Sequence, residues 1–250
     1  MIIARDCTDI NNLTYYLQHN FNNMNVFDRV LSVIAPHSCL GCGIEGTILC
    51  LECSEQIDRL PSVCYSCGKA TSFYKPCDAC IGKTKPAHIW IVANYDKLAK
   101  DLVRSCKFES KRPAAYAMAK MIDSALPFFG EDPLIVFVPT ANSRVRERGF
   151  DHSKLIAVNL AKARGWKYLR LLVRTTDTRQ LGATRDLRKK QLSGAFRINS
   201  NMAECCKNRY ILLIDDVITT GATVEECTKQ LYKVGAKQVD VAVFARTPNK

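Results

Sequence analysis

Two neighbouring carboxylates, Asp215 and Asp216, close an apolar run over residues 210–214 and stand just ahead of Thr219, Thr220, Gly221 and Thr223. Ionised carboxylates only accept hydrogen bonds, so an adjacent pair suits the vicinal hydroxyls of a ribose. Threonine hydroxyls can donate to phosphate oxygens, and Gly221 lets the backbone approach a ligand with no Cβ in the way. Val217, Ile218 and Ala222 complete the segment. Two other uses fit the same residue types: an acid pair holding Mg²⁺ in a different nucleotide fold, or ordinary loop polarity. No Gly-rich loop with a lysine precedes the strand, which weighs against the first.

Cysteine is the second residue type that could do chemistry. Eight of the thirteen form four Cys-x-x-Cys pairs: Cys39 with Cys42, Cys50 with Cys53, Cys64 with Cys67, and Cys77 with Cys80. Two thiolates at this spacing reach one ion, and two such knuckles complete a tetrahedral Cys₄ shell. The signal is strong, and Gly41, Gly43 and Gly68 suit tight knuckle turns. Two structural zinc ions follow, paired either sequentially or in a cross-brace; spacing allows both. A full thiolate set leaves His37 and His88 no ligand role, and it leaves zinc no open position for catalysis. Disulfides are the alternative use of so many cysteines, but the start of the chain lacks the pattern of an export signal, so a reducing cytoplasmic setting is expected.

Charge is the third signal. The chain carries a net +12, and residues 142–190 alone hold fourteen Lys and Arg against four acids. An excess of ten in under fifty residues points to a polyanion: pyrophosphate, nucleic acid, or both. Solvated helix faces could carry some of the lysines, but such faces usually mix signs. Guanidinium forks suit phosphate oxygens bidentately, so Arg144, Arg146, Arg148, Arg179, Arg185 and Arg188 are the candidates for pyrophosphate or DNA. His152 starts a helix beside them, where a surface or supporting role is the ordinary reading and a general base the sharper one.

The elements that must position these groups are legible in part. An unbroken apolar run reads as a strand buried on both faces, as in a parallel sheet. Val224, Cys227, Leu231 and Val234 then step with helical spacing, so the acids and threonines fall where a strand turns into a helix. Open α/β sheets bind ligands there, and a helix N-terminus favours phosphate. Further strands are expected at 89–95, 134–138, 168–173 and 239–245, and helices at 25–35, 98–108, from Pro113 to about 125, and after Asp151, which can cap its helix with Phe150 and Leu155 as a staple. The stretch 140–150 reads as a loop, as does the basic stretch 174–196, and loops of that length are commonly functional. No apolar run approaches the ~18 residues a membrane helix needs.

Residues 211–223 resemble the phosphoribosyl pyrophosphate (PRPP) motif of type I phosphoribosyltransferases: four apolar residues, two acids, then a threonine-rich loop around a glycine. The wider pattern resembles the ComF family of competence proteins. It comprises the apolar helix before the cysteines, the double zinc ribbon, Val138-Pro139 with the Arg-Glu-Arg-Gly-Phe loop, and Gln180, Arg185, Arg188 and Gly194-Ala195-Phe196. The chain departs from the family at Asp151-His152, where Asn-Gln is usual, and at Gln191, where an asparagine is usual.

The resemblance implies an α/β fold: a type I phosphoribosyltransferase-like parallel sheet with helices on both faces, preceded by a small double zinc-ribbon domain. The expected organisation is an extension over 1–24, helix plus ribbon over 25–86, and the transferase-like domain over 87–250. It also implies that Asp215 and Asp216 hold the ribose hydroxyls and residues 219–223 the 5′-phosphate, with Mg²⁺ accompanying PRPP. The implied role is handling single-stranded DNA in the cytoplasm during natural transformation, beside a competence helicase and a membrane channel. An active phosphoribosyltransferase, moving ribose 5-phosphate from PRPP to a base or amine, is the alternative. A third is a zinc-ribbon interaction module on a degenerate transferase fold.

Overall fold

The computed structural model describes residues 37–81, 86–176, 192 and 194–248. The expected extension 1–24, the helix at 25–35, and Arg179, Gln180, Arg185, Arg188 and Gln191 lie outside the described residues. Chain contacts gather into two compact units, Met1–Cys50 and Leu51–Lys250. In the first, the Cys39 N–H donates to the Ile44 carbonyl at 2.8 Å and the Gly43 N–H to the Cys39 carbonyl at 2.9 Å, closing a tight knuckle. Gly43 takes φ 77° there, a conformation that costs a residue with a Cβ.

The second unit begins with two short helices, α1 (Leu51–Glu55) and α2 (Asp78–Ile81). Then follow β1 (Ile89–Asn94), α3 (Lys97–Phe108), α4 (Pro113–Ala125), β2 (Leu134–Phe137), α5 (Asn142–Arg148), α6 (His152–Arg164), β3 (Tyr168–Leu169), β4 (Leu172–Arg174) and β5 (Phe196–Ile198). A 3₁₀ segment, Ser200–Cys206, leads into β6 (Tyr210–Ile218), α7 (Ala222–Lys233) and β7 (Gln238–Arg246).

Five strands form one sheet in the order β1-β7-β6-β2-β3, and every pairing in it is parallel. The central strand, β6, therefore has neighbours on both sides: Ile214 pairs with Phe137 of β2 and with Ala242 of β7. Its side chains alternate between two packed layers. Ile211 and Leu213 join Val224, Cys227 and Leu231 of α7 in one core. The intervening Leu212 and Ile214 are equally buried and face the other way, where α6 packs on β6 and β2, and α4 packs on β1 and β7. Helices on both faces explain why the strand is an unbroken apolar run; each such side chain contributes roughly 1.5–3 kcal/mol by burial.

The exposed edge of β1 is covered. The Leu60 N–H donates to the Val92 carbonyl at 3.0 Å and the Asn94 N–H to the Asp58 carbonyl at 3.1 Å, so the segment before the second pair of knuckles pairs with that edge. Near the starts of β1 and β3, Trp90 and Trp166 both pack edge-on against Phe129, with centroids 5.7 and 5.4 Å apart.

Three expectations need correction. The strand expected over 168–173 breaks in two: β3 stays in the sheet, whereas β4 turns away to pair antiparallel with β5. The strand carrying the acids runs on to Ile218, because Val217 and Ile218 still pair with Ala245 and Arg246 of β7. The stretch expected as a loop after β2 contains α5, a helix with no buried residue and hence no apolar periodicity to betray it.

Candidate functional site

The carboxyl ends of β6 and β2 open into one cleft of about 290 Å³. All nine residues from Asp215 to Thr223 line it, together with Arg144, Arg148, His152, Ser153 and Lys107. Arg146, the remaining described arginine candidate, is not among the lining residues.

Asp215 and Asp216 are 8% and 4% exposed, so both carboxylates are held almost dry. Their environments split their behaviour. Asp216 Oδ2 meets Lys107 Nζ at 2.5 Å and His152 Nε2 at 3.1 Å. Burial disfavours its charge, but these two partners outweigh burial and hold Asp216 well below the usual carboxylate range. Among the described residues no such cation stands at contact distance from Asp215. Its Oδ1 accepts from the Asp216 N–H at 2.9 Å and the Ser153 hydroxyl at 3.3 Å, and burial together with the neighbouring Asp216 charge pushes it up to about 7.

The cationic wall comes from α5 and α6. Arg148 Nη1 lies 3.3 Å from His152 Nδ1. A guanidinium can only donate, so Nδ1 accepts and the ring proton sits on Nε2, the atom 3.1 Å from Asp216 Oδ2. Burial, and then the charge of Arg144, lower the Arg148 pKa, the mark of two cations brought close together. Asp151 caps α6 by accepting from the Lys154 N–H at 3.3 Å, and its second oxygen takes the Thr140 N–H at 2.9 Å. One side chain thus ties the β2 loop to the helix that carries His152 and Ser153.

Opposite this wall, Gly221 turns left-handed at φ 80° and opens α7. The first-turn amides of a helix have no carbonyl partners within it, so Ala222 and the residues after it present donors and the positive end of the dipole to the cleft. Acids for hydroxyls, amides and threonines for a phosphate, and arginines for a second phosphate group thus face one space.

Sequence reasoning missed Lys107. Lys107 closes the last turn of α3 and reaches Asp216, more than a hundred residues away. His152 is 7% exposed and braces the acid pair rather than lying at the surface. A carboxylate at the end of a strand buried on both faces needs a partner, and that was the one signal in the sequence for a distant cation.

The cysteines gather sequentially. Cys39, Cys42, Cys50 and Cys53 form one group, and Cys64, Cys67, Cys77 and Cys80 another, with the sulfurs of each group within 4.8 Å of one another. The cross-braced pairing is therefore excluded. Burial opposes charge on Cys39 and Cys64. Backbone N–H groups aimed at each sulfur outweigh it, from Cys42 and Cys50 at one and from Cys77 and Cys67 at the other, and bring both thiols down to about 6. Two sets of four convergent sulfurs with readily ionised members fit zinc.

A parallel sheet with helices on both faces, and an acid-threonine-glycine turn at its carboxyl edge, define the class: a phosphoribosyltransferase-type fold preceded by paired Cys₄ groups. Residues 171–250 match the model of the phosphoribosyl transferase domain family. Over most of its length the chain also matches named proteins. The DNA utilization protein YhgH of Salmonella typhi is 30% identical over 213 residues, covering 80% of this chain and 90% of that one. Competence protein ComFC of Streptococcus pneumoniae is 28% identical over 213 residues, 81% and 89% of the two chains, and competence protein F of Haemophilus influenzae is 27% identical over 209, 79% and 90%. The chain belongs to the ComF family. Among solved structures, the glutamine PRPP amidotransferase of B. subtilis is similar over 53% of this chain and 26% of its own, at 19% identity and a TM-score of 0.37.

Proposed function

We propose that this chain binds PRPP with Mg²⁺ in the cleft and acts in the cytoplasm on single-stranded DNA during natural transformation. The observation that carries the first half is the convergence of the acid pair, the Gly221 turn and the Arg144–Arg148 wall on one space. Asp215 and Asp216 would take the ribose hydroxyls, residues 219–223 the 5′-phosphate, and Arg144 and Arg148 the pyrophosphate. Mg²⁺ entering with PRPP would supply neutralising charge for the phosphates that these residues hold. Ribose hydroxyls must share Asp216 with Lys107 and His152, so those two residues set the strength of the grip.

The DNA half is supported by the excess of ten positive charges over 142–190 and by the names of the relatives, a DNA utilization protein and two competence proteins. Zinc in both cysteine groups would hold the ribbon together without taking part in chemistry. A competence helicase and a membrane channel are the partners this role calls for.

The test of the PRPP site is calorimetry and thermal shift on zinc-loaded protein. Mg-PRPP is expected to release or absorb heat and raise the melting temperature, since a ligand held only by the native state must stabilise it. Both signals are expected to vanish in Asp215→Asn. Absence of heat with the wild type would sink the proposal.

The match of residues 171–250 to the transferase domain favours a second reading, transfer of ribose 5-phosphate to a base or amine. As pyrophosphate departs, negative charge grows on it, and Arg144, Arg148 and Lys107 are placed to stabilise that charge. Pyrophosphate release that needs an added acceptor would support this reading; PRPP binding with no release under any acceptor would refute it.

A further inference from the structure

One side chain of the second cysteine group reaches the turn assigned above to the 5′-phosphate. Tyr65 lies inside the knuckle, between Cys64 and Cys67, and is 2% exposed. Its ring rests on Gly221: a Cβ built there would collide with ring carbons Cε2 and Cδ2, the latter at 2.8 Å. Its hydroxyl donates to Glu225 Oε1 at 2.8 Å, and the Glu225 N–H donates to the Gly221 carbonyl at 2.8 Å. Tyr65 therefore touches both ends of the first turn of α7, the turn whose amides face the cleft. The glycine has a second reason to be there besides φ: the ring occupies the space a side chain would need.

The knuckle meets the cleft at a second point. Gly68, φ 82°, closes the turn by donating its N–H to the Cys64 carbonyl at 2.8 Å, and Arg246 Nη2 lies 3.4 Å from where its Cβ would stand. Arg246 ends β7; the next residue, Thr247, lines the cleft and donates its N–H to the Ile218 carbonyl at 3.0 Å. Two walls of the cleft thus rest on one knuckle.

We infer that Tyr65 is a positioning residue that couples the two sites. Zinc held by Cys64, Cys67, Cys77 and Cys80 fixes the phosphate turn through this side chain, and a phosphate held by the turn in return secures the ion. The coupling must run both ways with equal strength, because it is a free energy shared by the two binding steps. This rests on the proposed role of the 219–223 turn, but its first test needs no sugar phosphate.

In that test, amide hydrogen exchange is followed in the full chain, zinc-loaded and after chelation. Exchange at 220–225 is expected to speed up at least about five-fold on zinc removal while 211–213 in β6 stays unchanged. Zinc-loaded Tyr65→Phe, which keeps the ring and loses the bond to Glu225, is expected to show part of that gain. Unchanged exchange at 220–225 in zinc-free protein overturns the inference. If chelation raises exchange in β6 as well, the Tyr65→Phe protein decides: loop exchange equal to wild type overturns it, and faster exchange confined to the loop upholds it. In the second test, saturating Mg-PRPP is expected to slow zinc transfer to a chromophoric chelator from about half of the bound metal, and to do so less in Tyr65→Phe. Binding of Mg-PRPP with no slowing refutes the coupling and leaves the proposed function intact. No binding at all refutes the proposed function, and the exchange experiment then decides the coupling alone.

Discussion

At the scale of single residues, the acid pair is an asymmetric device. Lys107 and His152 both contact Asp216, and its neighbour is left to carry the cost of sharing a dry site with that charge. Asp215, held up at about 7 against an ordinary 3.8, keeps a proton in the folded protein that the unfolded chain releases. Stability must therefore fall as pH rises from about 4 to about 7 and level off above. Asp215→Asn keeps an acceptor oxygen for Ser153 and the Asp216 N–H and removes the ionisation. We expect it to be more stable than the wild type at pH 8, on the order of 1–2 kcal/mol, with the gap closing towards pH 4. Urea unfolding at the two pH values checks this, and a gap that widens on acidification contradicts it. Lys107→Met acts the other way. Among the described residues it leaves Asp216 buried with His152 as its one ionisable partner, and a loss of about 2–3 kcal/mol in the same assay is expected. A stable protein that fails to bind and an unstable one that fails to bind are thereby separated.

At the scale of elements, the decisive unit is strand, turn and helix over 210–233. Gly221→Ala must place a Cβ against the Tyr65 ring and hold a left-handed backbone. Thermal denaturation is expected to show a loss of about 2 kcal/mol or more, with Mg-PRPP binding abolished. This unit was readable from the sequence because its cues are local: an apolar run, two acids, a glycine, then helical spacing. So were the Cys-x-x-Cys knuckles. What stayed hidden has one of two physical causes. The helix α5 buries nothing, so Asn142-Ser143-Arg144-Val145 carries no periodicity to mark it. Lys107 and Tyr65 act on groups more than a hundred residues away, and only the fold makes that distance short. The strand β6 outran its expected end for a related reason: acids that look like loop polarity are tolerated inside a strand when distant partners satisfy them.

At the scale of the whole molecule, charge and binding meet. If single-stranded DNA is held through its phosphates, log affinity falls linearly with log salt, and each lost phosphate contact lowers the slope by about one. Arg144→Ala or Arg146→Ala should reduce that slope without changing sequence preference, and fluorescence anisotropy of a labelled oligonucleotide at several salt concentrations measures it. A slope unaltered by either change would place the DNA elsewhere. The Trp90–Phe129–Trp166 cluster has a practical consequence of a different kind. These are both of the tryptophans in the chain; Trp90 is the second residue of β1 and Trp166 stands just before β3. Trp90 pairs with Ala242, which in turn pairs with Ile214, so it stands level with the residue before Asp215, two strands away. Intrinsic emission therefore gauges the packing of β1 and β3, the two edge strands of the sheet. It should shift when the protein denatures or when either edge strand loosens.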